Sequence, residues 1–282
     1  MMAETTRVPA RQNPTSIEDE KDTEEEIAGQ PMSFLEHLDE LRRRLIKIIL
    51  SVLIMMMLSF AFSNEILKFL LYPPVLLPGL KPPIQMMKPV ITQVQGLMMV
   101  KIQVGLIAGI VFSLPVILFQ LWRFISPGLR KKERRYAIPV ILFATFFFML
   151  GALFSYIVVI PITLNFLLSM GSIDPELGIV VENMIDLDAY LGFVSGFMLI
   201  SGITFELPVL SYFLTKIGIL SSSFLRKYWR HAVIGSLFIS AIVTPTTDMI
   251  TLFVVAVPII VLYEVSIWVS ASVARKKKKA SL

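Results

Sequence analysis

Six apolar runs, separated by charged or proline-rich stretches, organise this chain. They fall at about residues 46–62, 97–122, 137–160, 189–213, 231–244 and 250–270, and such runs read as membrane-crossing helices,. The predicted fold is all-α, a polytopic membrane domain over residues 32–270 with six transmembrane helices. Before the first run, Ser33-Phe34-Leu35-Glu36 has the spacing of a capping box and predicts where helix begins,. Residues 64–95 carry Pro73, Pro74, Pro78, Pro82, Pro83 and Pro89. That density forbids a long helix and predicts an extended cap outside the bilayer. Pro115 and Pro258 lie inside runs, and Pro161 closes the third. The fifth run is short: about 14 residues lie between Arg230 and the Thr244-Pro245 turn, roughly 21 Å of helix against a core of about 30 Å. Either it thins the bilayer or is covered by a neighbour, or Arg230 snorkels and the helix begins earlier.

Charge adds an orientation. Basic segments at 42–47, 123–135, 216–230 and 275–279 alternate with segments poor in cations. Residues 162–188 hold Asp174, Glu176, Glu182, Asp186 and Asp188 with no lysine or arginine. Positive segments stay inside, which places the N-terminus and the C-terminus in the cytoplasm; Lys68, Lys81, Lys88 and Lys101 are minor exceptions. Residues 1–31 are polar, with seven acids and one lysine between Ile17 and Ile27. They read as a disordered acidic tail, and neither a signal peptide nor a transit peptide. Residues 271–282 read as a basic cytoplasmic tail.

Composition then excludes whole classes of chemistry. The chain is 55% hydrophobic and 17% charged, with a mean hydropathy of +0.75, too apolar for a soluble domain of this length. The net charge of +5 sits beside apolar spans, so it reports topology and not nucleic-acid binding. There is no cysteine, and the two histidines, His37 and His231, lie far apart in sequence; no metal and no cofactor is expected. No phosphate-binding G-x-x-x-x-G-K-[ST], nucleophile elbow or H-E-x-x-H occurs in a span, nor the internal repeat of many secondary carriers,. The chain is not expected to be an enzyme.

A few polar residues stand out. Glu206 lies ten residues before Lys216, about 15 Å along a helix and near mid-membrane, where a charge costs roughly 2.5–3.5 kcal/mol. It is either functional or a protonated acid bonded within the bundle, with Thr204 or a neighbouring serine as partner. Pro208, two residues on, frees the Thr204 carbonyl and predicts a polar kink. Glu40 sits four residues from both Glu36 and Arg44; it either pairs with Arg44 or faces a concave cytoplasmic surface that receives a basic ligand. Glu133 is a lone acid among Arg130, Lys131, Lys132, Arg134 and Arg135. Asp248 has the residue type of a helix cap for the sixth span. Glu264, near the inner end of that span, snorkels or bonds to a neighbouring helix.

Together these motifs resemble one family. His37-Leu38-Asp39-Glu40-Leu41-Arg42-Arg43-Arg44-Leu45 looks like the opening motif of the twin-arginine translocase C subunit family. Phe124-Ile125-Ser126-Pro127-Gly128-Leu129, followed by Lys132-Glu133-Arg134-Arg135, looks like that family's first cytoplasmic loop. Phe205-Glu206-Leu207-Pro208 matches its intramembrane glutamate, and Thr244-Pro245 with Asp248 resembles its last outer turn. The sequence departs from the pattern in carrying Thr246-Thr247 before Asp248, and Thr251-Leu252 where a glutamine often follows. The resemblance implies a core receptor subunit in the bacterial plasma (inner) membrane, which binds paired-arginine signal peptides and helps move folded proteins by the proton-motive force. It implies that Glu40 and Glu133 receive the arginines, with Arg42, Arg44 and Phe124 supporting that surface. Glu206 and Asp248 would mark partner docking inside the membrane, with Pro74 and Pro208 structural. The implied partners are small single-span A- and B-type subunits, further copies of the chain, and membrane lipids. The alternative is a proton-coupled small-solute transporter with Glu206 as its proton site.

Overall fold

A computed structural model of the chain describes residues 34–75, 87–125, 137–170, 183–244 and 248–280. Ser33, Glu133, residues 245–247 and the acidic tail therefore lie outside the described residues. Two compact units are distinguished, one ending at Arg43 and one covering Arg44–Leu282.

Helix α1, Phe34–Ala61, supplies the described part of the first unit and leads into the second. Within the first unit, Arg43 Nε donates to the Asp39 carbonyl at 3.4 Å. In the second unit follow α2 (Ser63–Leu71), strand β1 (Lys88–Val90), α3 (Gly96–Ile125), α4 (Ala137–Phe154), a π-helical turn (Ser155–Val159), α5 (Ile160–Met170), strand β2 (Met184–Asp186), α6 (Leu187–Phe205), α7 (Leu207–Ile217), α8 (Ser222–Lys227), α9 (Trp229–Val243) and α10 (Met249–Ala280). Among the described residues, five helical stretches are long and apolar enough to cross a membrane, and α9 is a shorter apolar sixth. This is the all-α, six-span architecture that the hydropathy pattern predicts.

Helix association in lipid depends on close packing, because lipid tails are as apolar as leucine. Glycines permit that closeness here. Gly105 and Gly109 form a small-x-x-x-small stripe on α3, and a Cβ on Gly109 would stand 2.8 Å from the Met56 backbone nitrogen of α1. Gly151 of α4 and Gly202 of α6 do the same for their pair: their Cβ positions meet the Ser201 carbonyl oxygen at 2.5 Å and the Phe148 ring at 2.6 Å. The largest buried cluster joins Val100 and Val104 of α3, Leu164 of α5, Leu191 and Val194 of α6 and Val255 of α10. The lipid-facing side is apolar as well, with Leu45, Ile49, Leu53, Phe146 and Val257 exposed.

The third span does not end at Pro161. Helix continues through it to Met170, and the π-turn accommodates the proline. The Ile160 N–H bonds to the Ser155 carbonyl, five residues back. That wider turn makes room for a ring that would otherwise crowd a carbonyl and leave it without a donor. The π-turn also presents Tyr156, whose hydroxyl donates to the carbonyls of Phe69 and, at 3.1 Å, Tyr72. Tyr190 of α6 donates to the Leu70 carbonyl at 3.0 Å. These carbonyls lie at the end of α2, where helical donors run short, so two spans hold the end of that helix.

The proline-rich stretch enters a two-stranded parallel sheet. Lys88, Pro89 and Val90 pair with Met184, Ile185 and Asp186. Asp186 closes the latch: its carboxylate accepts from the Thr92 hydroxyl, and at 2.9 Å from the Asp188 N–H, capping α6. The Thr92 hydroxyl, with help from the Asp188 amide, holds the Asp186 carboxyl below its ordinary value of 3.8,. A depressed folded value stabilises above the unfolded value, and the contribution is lost as pH falls through the folded value. Asp186→Asn is therefore expected to lower amide-exchange protection of the Lys88 N–H, which bonds to the Asn183 carbonyl at 2.8 Å. The deficit should be full at pH 7 and close as pH falls below 3.8. A deficit that persists unchanged in acid would show that the charge is not what holds the latch.

Candidate functional site

The first helix presents its acids unequally. Glu40 is half-buried, whereas Glu36 and Asp39 on the same turns are exposed. Arg42 is exposed. Arg44, in the second unit, is half-buried and its Nη1 donates to Gln120 Oε1 at 3.3 Å. Gln120 lies one turn before Phe124 on α3, so the two share a face. The structure thus brings Arg44 to the end of α3 that carries Phe124, through a glutamine the sequence motifs do not single out. Glu133 lies in the stretch following α3, outside the described residues.

The fourth span breaks at Glu206. Helix α6 ends there with a tightened turn, the Glu206 N–H bonding to the Ile203 carbonyl at 3.1 Å. Helix α7 restarts at once, Leu210 N–H bonding to the Glu206 carbonyl at 2.8 Å. Pro208 falls in the first turn of α7, where its missing N–H costs nothing,. The Glu206 side chain is 8% exposed, and its Oε1 has no hydrogen-bond partner among the described residues. Thr204, the partner suggested by sequence, donates instead to the Ile200 carbonyl at 2.7 Å.

The remaining predicted positions have structural partners or stand apart. Asp248 caps α10, its Oδ1 accepting from the Thr251 N–H at 2.7 Å. Glu264 pairs with Arg226 of α8 at 2.9 Å. Pro74 is exposed just beyond α2, while Pro73 beside it is buried. Helix α9 begins at Trp229 and spans 15 residues, about 22 Å. Its Ser236, Ser240 and Thr244 hydroxyls each donate to a carbonyl four residues back, which hides their polarity within the helix. Helices α7 and α10 are joined by Thr215 Oγ1 donating to Ser270 Oγ at 2.8 Å, fully buried. Among the described residues no group of three histidines, cysteines or acids is placed to hold a metal.

Five long apolar helices, a short sixth and a buried acid at a helix break define a multi-pass membrane protein. Comparison with known proteins gives it a family. The family profile described as Sec-independent protein translocase protein (TatC) matches residues 36–258. Curated relatives under that description include one from Deinococcus radiodurans, 35% identical over 249 residues and covering 87% of each chain. Another, from Aquifex aeolicus, is 35% identical over 254 residues, covering 88% of this chain and 98% of its own. A crystal structure described as the twin arginine translocase receptor TatC superposes with a TM-score of 0.71 at 33% identity, over 85% of this chain and 100% of that one. The chain belongs to the TatC family of protein-transport components.

Proposed function

We propose that this chain is the core receptor subunit of a twin-arginine translocase, lying in the bacterial plasma (inner) membrane with both termini in the cytoplasm. Residues 32–270 form its membrane domain, between the acidic tail 1–31 and the basic tail 271–282. Its cytoplasmic face takes the paired arginines of signal peptides, and it works with small single-span A- and B-type subunits and further copies of itself. Folded precursors then cross at the expense of the proton-motive force. Orientation is supported by the alternation along the sequence of the basic segments at 42–47, 123–135, 216–230 and 275–279 with cation-poor segments,.

The observation that carries the reading is Glu40, the acid withdrawn from water where its neighbours Glu36 and Asp39 are exposed. A partly desolvated carboxylate suits a guanidinium, whose fork reads two oxygens at once. Glu133 supplies the second carboxylate, Arg42, Arg44 and Phe124 shape the surface, and Glu206 with Asp248 serves partner docking. The solute-carrier alternative is weaker, since Glu206 is the only buried acid or base among the described residues.

Photocrosslinking in inverted vesicles tests the site. Glu40→Ala and Glu133→Ala are each expected to cut crosslinking to a twin-arginine signal peptide at least tenfold while the chain still inserts. Wild-type crosslinking in both variants would sink the assignment.

A further inference from the structure

Two apolar clefts meet at one lysine. The first, about 370 Å³, lies between α4 and α7 and includes Phe143, Phe147 and Val209 in its walls. The second, about 650 Å³, lies between α7 and α10 and includes Val265, Trp268 and Val273. Tyr212, Lys216 and Val269 line both. Each volume falls in the range of about 300–1,000 Å³ typical of small-molecule sites.

The fork carries positive charge at its head. Lys216 Nζ lies 3.2 Å from the Tyr212 hydroxyl, and Lys276 lines the second cleft. Lys276 is six residues beyond Ser270, the partner of Thr215, so it lies about 9 Å farther along α10. Both lysines therefore stand at the same end of the bundle, and among the described residues neither cleft is lined by an acid. Trp268 and Tyr212, both exposed, are the residue types that settle at headgroup depth.

We propose that this fork is a binding site for one anionic diacyl phospholipid, its phosphate between Lys216 and Lys276 and one acyl chain in each cleft. Charge complementarity selects the headgroup, and two apolar clefts that share one lysine match two chains joined at one head. The walls disfavour a partner helix, which approaches closely over small residues; here they carry Phe143, Phe147 and Trp268. Lys216 also serves the last turn of α7, and a helix-end role alone would give no preference among lipids.

The test uses the full chain, stripped of lipid in mild detergent and titrated with dioleoyl phosphatidylglycerol or dioleoyl phosphatidylcholine, with bound lipid counted by native mass spectrometry. The expected result is one phosphatidylglycerol bound at least tenfold more tightly than phosphatidylcholine. The double change Lys216→Gln with Lys276→Gln should erase that preference. Val269→Trp, which fills the junction and keeps both lysines, should weaken both lipids. Equal binding of the two lipids by the unaltered chain overturns the proposal, as does an unchanged preference in the double variant. Displacement of phosphatidylglycerol by an uncharged polyleucine membrane peptide, at equal concentration, would mean that a helix is the occupant and also overturns it. Should Val269→Trp fail to fold, the lysine variants, which alter surface groups, decide the outcome.

Discussion

Gly151→Leu is expected to lower the melting temperature of the detergent-solubilised chain by roughly 5–10 °C, from an overpacking cost of about 2–3 kcal/mol. The cause is geometric. Even the first carbon of a side chain at Gly151 would stand 2.5 Å from the Ser201 carbonyl oxygen and 2.8 Å from the Phe205 ring. A carbonyl inside a helix cannot rotate aside, so α4 and α6 must separate. Gly202, whose own Cβ position meets the Phe148 ring at 2.6 Å, closes the same seam from the other side. Gly151→Ala should lose about 1 kcal/mol or more by the same contact, despite alanine's better helix propensity. Gly235→Ala on α9 is the control, because nothing lies within 4 Å of its Cβ position; it should gain up to about 1 kcal/mol. Fluorescence-detected size-exclusion melts compare the three. Equal melting of Gly151→Ala and Gly235→Ala would show that the seam is not tight.

Glu206→Leu is expected to act in the opposite sense on stability, while lowering precursor export. A buried polar atom without a partner costs about 1–3 kcal/mol, and Glu206 Oε1 is such an atom among the described residues. Leucine removes that cost and adds packing at a break that Pro208 maintains regardless. The melting temperature should therefore rise by roughly 2–8 °C. Transport of a folded twin-arginine precursor into inverted vesicles should fall, because a group kept at such a cost is kept for function. If Glu206→Leu melts below the unaltered chain, the carboxyl is a structural anchor and its functional reading is wrong.

The sequence displays what burial and charge dictate directly. The apolar runs show the spans, since lipid tolerates few charged residues, and Glu206 stands out for the same reason. Asp248 reads as a cap from residue type alone, and the Thr251 amide answers it. Less visible were features set by packing. Gly105 and Gly109 are spaced as a packing stripe, yet the spacing does not tell which helix uses it; Met56 of α1 does. The π-turn has no residue signature, so Pro161 reads as an end where the structure makes it a bend. Gln120 is an ordinary polar residue until Arg44 reaches it. Hydroxyl clamps such as Tyr156 and Tyr190 depend on carbonyls more than eighty residues away, which no local pattern encodes.

The strand pair has a consequence for biogenesis. Its partners, Lys88–Val90 and Met184–Asp186, are separated in the chain by α3, α4 and α5. Non-local pairings close late, and synthesis runs from the N-terminus. The ladder can therefore form only after the chain has crossed the bilayer twice more and returned to the side it left. A nascent chain with one of those crossings missing would hold its two strands on opposite sides of the membrane, unable to meet. Contact between Thr92 and Asp186 is then a sign that the insertion machinery has counted correctly.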